Sequence, residues 1–229
     1  MLDQALESLK IYEWGVDPKA VKSIQDAVVA SHGDAAARKK LESTLADVLS
    51  TDVPRAAKDI VCRALKTIGT AHSVPAVAKL LHDEELSHMA RHALQTNDAP
   101  EAVKALVGAI DKASKKIKIG IISSLGARGT GVPVAPLAKT LTDKDAEIST
   151  AGALALGAIG STDAAKALGS AKVNDTNRIA VCDAMLHCAE NMLAHGKKAD
   201  AKAIYGTVLK IGPTKAAKIA ADLGVKASA

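Results

Sequence analysis

The stretch Ile60-Val61 … Leu65 … Gly69 … Val74-Pro75-Ala76-Val77-Ala78-Lys79-Leu80-Leu81-His82-Asp83 returns about sixty residues later. There it reads Gly120-Ile121 … Leu125 … Gly129 … Val134-Ala135-Pro136-Leu137-Ala138-Lys139-Thr140-Leu141-Thr142-Asp143, with every landmark displaced equally. Shorter cousins lie between and after. Ala102-Val103-Lys104-Ala105-Leu106-Val107-Gly108-Ala109 resembles Ala164-Ala165-Lys166-Ala167-Leu168-Gly169-Ser170-Ala171, and Ala93-Leu94 and Ala155-Leu156-Gly157 precede them. The unit is therefore about thirty residues long, and the longer match spans two units.

Each unit reads as two helices. From Ala57 to Ile68 the apolar residues Ala57, Ile60, Val61, Ala64, Leu65 and Ile68 follow the spacing of a helix stripe, not the alternation of a strand. Gly69 supplies a stop and Pro75 a start, the order in which those residues bound helices. Asp83 and Asp143 are placed to close the second helix and cap the next, and Gly157, Gly160 and Ser161-Thr162-Asp163 punctuate a later unit. Ile117 to Ile122 comes nearest to a strand but lies where the repeat requires a helix. The expectation is an all-α chain, a right-handed α-solenoid of stacked antiparallel helix pairs, forming one domain over 1–229.

The ends differ from the middle. Residues 1–50 form an N-terminal cap of three amphipathic helices, Leu2 to Ile11, Pro18 to Ala30 and Asp34 to Leu49, separated by Gly15 and Gly33. Tyr12 and Trp14 in the first connection are expected to staple that layer to the next. The repeat units fill 51–175. Over 176–229 a helix pair, Ile179 to His195 and Ala199 to Lys210, is followed by a capping helix from Thr214 to Leu223. Capping layers are needed because each unit buries its apolar face only against its neighbours.

Composition agrees. The chain has 229 residues, 48% hydrophobic but only 1% aromatic, with no Phe, and alanine at about one residue in five. Such a chain must bring backbones close together, and it has little to stack on bases, sugars or flavins. The net charge of +5 permits an acidic partner without demanding nucleic acid. The three cysteines, Cys62, Cys182 and Cys188, have neither disulfide-framework nor C-x-x-C spacing and suit a reducing compartment. The opening residues carry no basic-then-apolar leader pattern, and no run approaches the ~18 apolar residues of a membrane span. A cytoplasmic protein is expected.

The words Val74-Pro75-x-Val77-x-Lys79-Leu80-Leu81-x-Asp83 and Ala153-Leu154-Ala155-Leu156-Gly157-Ala158-Ile159-Gly160 resemble the HEAT-repeat family, over residues 52 to 172. The resemblance implies an α-solenoid whose second helices line the concave side. Ser149 stands where the family pattern places an arginine, and Arg91 of the preceding unit sits later than that pattern, so the family's regular Asp–Arg ladder is not carried over. Near the C-terminus, Cys188-Ala189-Glu190 … Leu193 … Gly196-Lys197-Lys198-Ala199 … Ala203-Ile204-Tyr205 resembles a tetratricopeptide-type hairpin.

Five lysines recur in the second helices as Lys-x-(Leu/Ile): Lys79, Lys104, Lys139, Lys166 and Lys202, before Leu81, Leu106, Leu141, Leu168 and Ile204. In register they make a ladder with steps of ~10 Å, attractive to an acidic protein segment or a phosphate backbone. Equally, lysine is an ordinary solvated helix former there. Lys112, Lys115, Lys116 and Lys118 form a denser cluster, echoed by Arg38-Lys39-Lys40 and Lys197-Lys198; each reads as a solvated connection or as an unselective backbone contact.

Glu85, His88 and His92 share a face of one expected helix and are the weak candidate for a metal, which three ligands on one helix serve poorly. The HEAT family includes di-iron hydroxylases marked by His-Glu pairs, but no histidine here precedes a Glu. Cys182 and Cys188 lie on the stripe of Val181, Met185 and Met192 and are expected to be inert, with His187 pointing away. Gly126-Ala127-Arg128-Gly129-Thr130-Gly131 joins two helices and reads as a turn. No nucleotide, hydrolase or zincin motif occurs. The reading is a non-catalytic scaffold for protein–protein interaction, needing no cofactor and presenting a lysine-edged groove to an acidic protein. The resemblance also brings two alternatives, a HEAT-like lyase acting on a tetrapyrrole and a nucleic-acid backbone binder.

Overall fold

The structure, a computed structural model, describes residues 2–15 and 19–229. Described residues are helical or in turns, with no strand among them. The helices are α1 (Leu2–Leu9), α2 (Lys19–Ala30), α3 (Ala35–Val48), α4 (Arg55–Ile68), α5 (Val74–Ala78), α6 (Ser87–Gln95) and α7 (Pro100–Ala109). Then follow α8 (Lys115–Arg128), α9 (Val134–Thr140), α10 (Ala146–Ile159), α11 (Thr162–Gly169), α12 (Arg178–Ala194), α13 (Lys198–Ile211) and α14 (Lys215–Ala227). The expected start at Pro18 lies outside the described residues. The chain forms two compact units, one running to Gly120, the other from Ile121 to Ala229.

In the first unit α1 packs on α2 and α2 on α3 and α4, while α4 packs on α6 and α5 on α7, so first helices stack on first helices and second on second. The α4 stripe is buried as its spacing requires: Ala57, Ile60, Val61, Ala64, Leu65 and Ile68 all lie in the core. Gly69 ends α4 in an extended conformation (φ −64°, ψ 141°), not the left-handed one. Space requires the glycine: a Cβ there would meet the Leu65 carbonyl oxygen and come within 2.9 Å of Ser73 Oγ. The second helix of this layer is shorter than its pattern. After Ala78 it tightens into a 3-10 turn, Lys79–His82, closed by Asp83 N–H donating to Leu80 O at 3.2 Å. Asp83 then opens the next turn, its Oδ1 accepting from Glu85 and Leu86 N–H at 2.9 Å each.

Tyr12 is buried and meets Trp14 edge-to-face at 6.3 Å. Trp14 is half exposed, with the Arg63 guanidinium 6.0 Å from its ring centroid. Of the two, it is Trp14 that meets α4, where it shields one side of the Arg63 guanidinium.

In the second unit α10 packs on α9, α11 and α12, α11 on α9 and α13, and α12 on α13 and α14. Asp145, not Asp143, caps α10, accepting from Glu147 and Ile148 N–H; Asp143 supports it by accepting Asp145 N–H at 3.0 Å. Ser161 caps α11 and Thr214 caps α14, as their positions suggest. Gly160 stops α10 in the left-handed region (φ +60°). Gly157 is not punctuation. It lies inside α10, where a Cβ would sit 2.9 Å from both Cα and Cβ of Ala184 on α12, and Gly126 of α8 meets Ala155 of α10 in the same way. With glycine at these two crossings, the helices approach until backbone touches a side-chain methyl, a close approach suited to a core with few aromatics. The exception is Tyr205, wholly buried, whose ring fills the place of a side chain at Gly224 of α14.

Candidate interaction surface

The five repeated lysines sit where the pattern puts them on the second helices, except that Lys79 opens the 3-10 turn after α5. Lys104 is on α7, Lys139 on α9, Lys166 on α11 and Lys202 on α13. Every one is exposed, while Leu81, Leu106, Leu141 and Leu168 are buried and Ile204 half-buried. Lys79 and Lys104 belong to the packed pair α5 and α7 of the first unit. Lys139, Lys166 and Lys202 belong to the row α9, α11, α13 of the second. Lys166 lies 3.9 Å from Asp163, both side chains well exposed, a pairing that contributes little. Lys112, Lys115 and Lys116 are exposed and Lys118 half-buried at the start of α8.

The Glu85, His88, His92 trio does not assemble. Helix α6 begins only at Ser87, so Glu85 sits in the preceding turn, its carboxylate 3.7 Å from Arg55 Nε. His88 and His92 do come together, rings near-parallel (10°) with centroids 6.4 Å apart. No group of three or more His, Cys, Asp or Glu able to hold a metal occurs among the described residues.

What the imidazoles face instead is α4. The Lys66 ammonium lies 2.9 Å from His92 Nε2, which fixes that nitrogen as the acceptor. Asp59, its side chain only 1% exposed, holds Arg63 Nε with both oxygens at 3.2 and 3.0 Å. Together Asp59, Cys62, Arg63, Lys66, His88, Met89 and His92 line a hollow of about 400 Å³. Burial, and after it the charges of Lys66, His88, Arg63 and Arg91, hold His92 below the usual imidazole range. This cluster is absent from the reading of single helices. Its members stand about one repeat apart, so the period itself was the signal that Arg63 and Lys66 face the α6 histidines.

The thiols are held away from solvent and from their reactive form. Cys62, Cys182 and Cys188 are buried; burial pushes Cys62 up to about 12 and each of the other two up to about 11. His187 Nδ1 lies 2.7 Å from the Gly157 carbonyl and so donates to it, away from both cysteines of its helix. In the glycine-rich turn after α8, Gly129 (φ +67°) and Gly131 (φ +72°) adopt the left-handed region, which accounts for both residues without a ligand.

Ser149 is buried, donating to Leu141 O at 3.0 Å and accepting from Asn177 Nδ2 at 3.3 Å. Arg91 donates to Gly120 O at 2.9 Å. Glu42 is a buried polar tie that accepts from Thr70 N–H, Thr70 Oγ1 and Ser73 N–H at 2.6 to 3.1 Å. Burial alone would raise its carboxyl; the hydrogen bonds from Thr70 and Ser73 outweigh it and hold the group below its ordinary value.

Residues 103–185 match the family of HEAT repeats, and the chain is a helical-repeat protein. No curated protein matches it. Among solved structures it is similar to a designed armadillo repeat protein, at 16% identity and TM-score 0.39 with all of both chains covered. A second designed armadillo repeat protein, in complex with the peptide (KR)4, shows 17% identity and TM-score 0.39 over 100% of this chain and 99% of that one. Cex1p shows 12% identity and TM-score 0.40, covering 92% of this chain and 42% of its own. None of these likenesses transfers a role. No helix of the described residues is long and apolar enough to cross a membrane.

Proposed function

We propose that this repeat protein is a non-catalytic scaffold for protein–protein interaction, cytoplasmic, and that Lys79, Lys104, Lys139, Lys166 and Lys202 steer an acidic protein segment onto its second helices. One observation carries the reading: all five amines are exposed while the apolar residue two places on turns inward or half inward. Repeated cations on neighbouring helices raise the local concentration of an extended polyanion without needing a pocket.

The test is binding of a fluorescent Glu/Asp-rich peptide, read by anisotropy at low and physiological salt, for wild type and for the Lys79/Lys104/Lys139/Lys166→Glu variant. Saturable binding that weakens with salt and is abolished in the variant is expected. Equal binding by both proteins rejects the lysine surface, and tighter binding of duplex DNA than of the peptide at low ionic strength rejects the acidic-protein partner.

A further inference from the structure

We propose that the hollow between α4 and α6, rimmed by Arg63, Lys66, His88 and His92, is a binding site for a phosphate dianion. It lies on first helices, away from the lysines of the second helices, and stands or falls independently of the scaffold reading.

Four nitrogen-bearing side chains converge on about 400 Å³, and among its lining residues the one carboxylate, Asp59, is turned to Arg63 Nε. A guanidinium has five donors, of which Asp59 takes one, so Arg63 keeps a fork for a second anion. Arg63 and Lys66 come from one helix and His88 and His92 from the next, so donors surround the hollow from two sides. A tetrahedral phosphate offers oxygens in all those directions; a planar carboxylate serves one edge. The His92 imidazole is depressed first by burial and then by the charges of Lys66, His88, Arg63 and Arg91, so the cations that ring the hollow add to a shift that burial leads.

A metal is the poorer occupant. The His92 Nε2 lone pair a cation would need is directed at Lys66, Glu85 is drawn to Arg55, and Cys62 is pushed up to about 12 by burial and Asp59. Volume sets the other limit. The space takes a phosphate group with waters or the stem of one side chain, so the group arrives either as the free ion or on a phosphorylated residue.

The chain carries its own reporter, since Trp14 is its one tryptophan and lies against Arg63. The full chain at low ionic strength is titrated with inorganic phosphate, then with a phosphoserine peptide and its unphosphorylated twin, following Trp14 fluorescence and heat. Saturable phosphate binding is expected. By heat it weakens at least about tenfold in Arg63→Gln/Lys66→Gln; that variant melts lower because Asp59 loses its charge partner, so it is titrated well below its melting temperature, where circular dichroism matches wild type. Lys226→Gln, a surface lysine elsewhere, leaves it unaltered. A phosphopeptide binding tighter than phosphate, with the twin silent, identifies a phosphorylated protein as the source; phosphate binding as well as the peptide identifies the free ion. The proposal is overturned by absence of saturation with either probe, by an equal response to chloride at matched ionic strength, by a double variant that binds like wild type, or by stoichiometric zinc that phosphate does not displace.

Discussion

The unit that runs to Gly120 and the unit from Ile121 solve one problem, docking a layer on the next, by opposite means. In the first, long polar side chains reach across. Glu42 holds the turn at Thr70 and Ser73, Arg38 donates to Thr67 O at 2.7 Å, Asn97 to Thr70 O at 3.0 Å, and Arg91 to Gly120 O. In the second, absence does the work: Gly126 against Ala155 and Gly157 against Ala184 leave no room for one more carbon. Hydrogen bonds cross there too, from Asn191 to Gly160 O at 3.0 Å and from His187 to Gly157 O. A repeat fold thus fixes where layers meet and leaves open what holds them. A charge-tied layer is sensitive to protonation, a close-packed one to volume.

That contrast can be broken from either side. The largest effect is expected for Glu42→Ala, which strands two backbone N–H groups and a hydroxyl; about 4 kcal/mol should be lost in urea unfolding. Gly157→Val should cost about 3 kcal/mol, because the obstructing atoms are the backbone and methyl of Ala184 and cannot rotate aside. Hydrogen exchange should place that loss in α10 and α12, with amides of α4 and α6 unaffected. Asn191→Ala removes a bond to a helix-terminal carbonyl that keeps some access to water, and about 1 kcal/mol is expected in the same assay.

The smallest effect sharpens the protonation half. The Glu42 carboxyl sits below its ordinary range in the folded chain, so its contribution is complete above that range and is lost as pH falls through the lowered value. The stability gap between wild type and Glu42→Gln should therefore be flat from about pH 5 upward and shrink below it in thermal melts. Gly157→Val should show no such dependence.

Much of this was legible beforehand. The α4 stripe, the breaks at Ser161 and Thr214, the helical state of Ile117 to Ile122 and the burial of Cys182 and Cys188 were all readable from spacing, because burial in a repeat obeys the period of its helices. Other features were not legible because they depend on partners in the neighbouring layer. Gly157 looks like a helix stop until α12 lies across it. Glu85 looks like a neighbour of His88 until the Asp83 turn holds it outside the helix. Arg63 and Lys66 look like ordinary surface cations of α4 until α6 brings two imidazoles over them. A buried glutamate such as Glu42, in a helix of low amphipathicity, leaves no trace in the pattern of its own helix.

The final carbonyls of α10 are held from outside the helix. Gly157 O takes His187, Leu156 O takes Cys188 Sγ at 3.8 Å, and Gly160 O takes Asn191. Peeling α12 away therefore uncaps the helix beneath it, and fraying passes down to the layer left behind. Pulled from its C-terminal end, this unit is built to yield like a zip, each tooth loosening the one below.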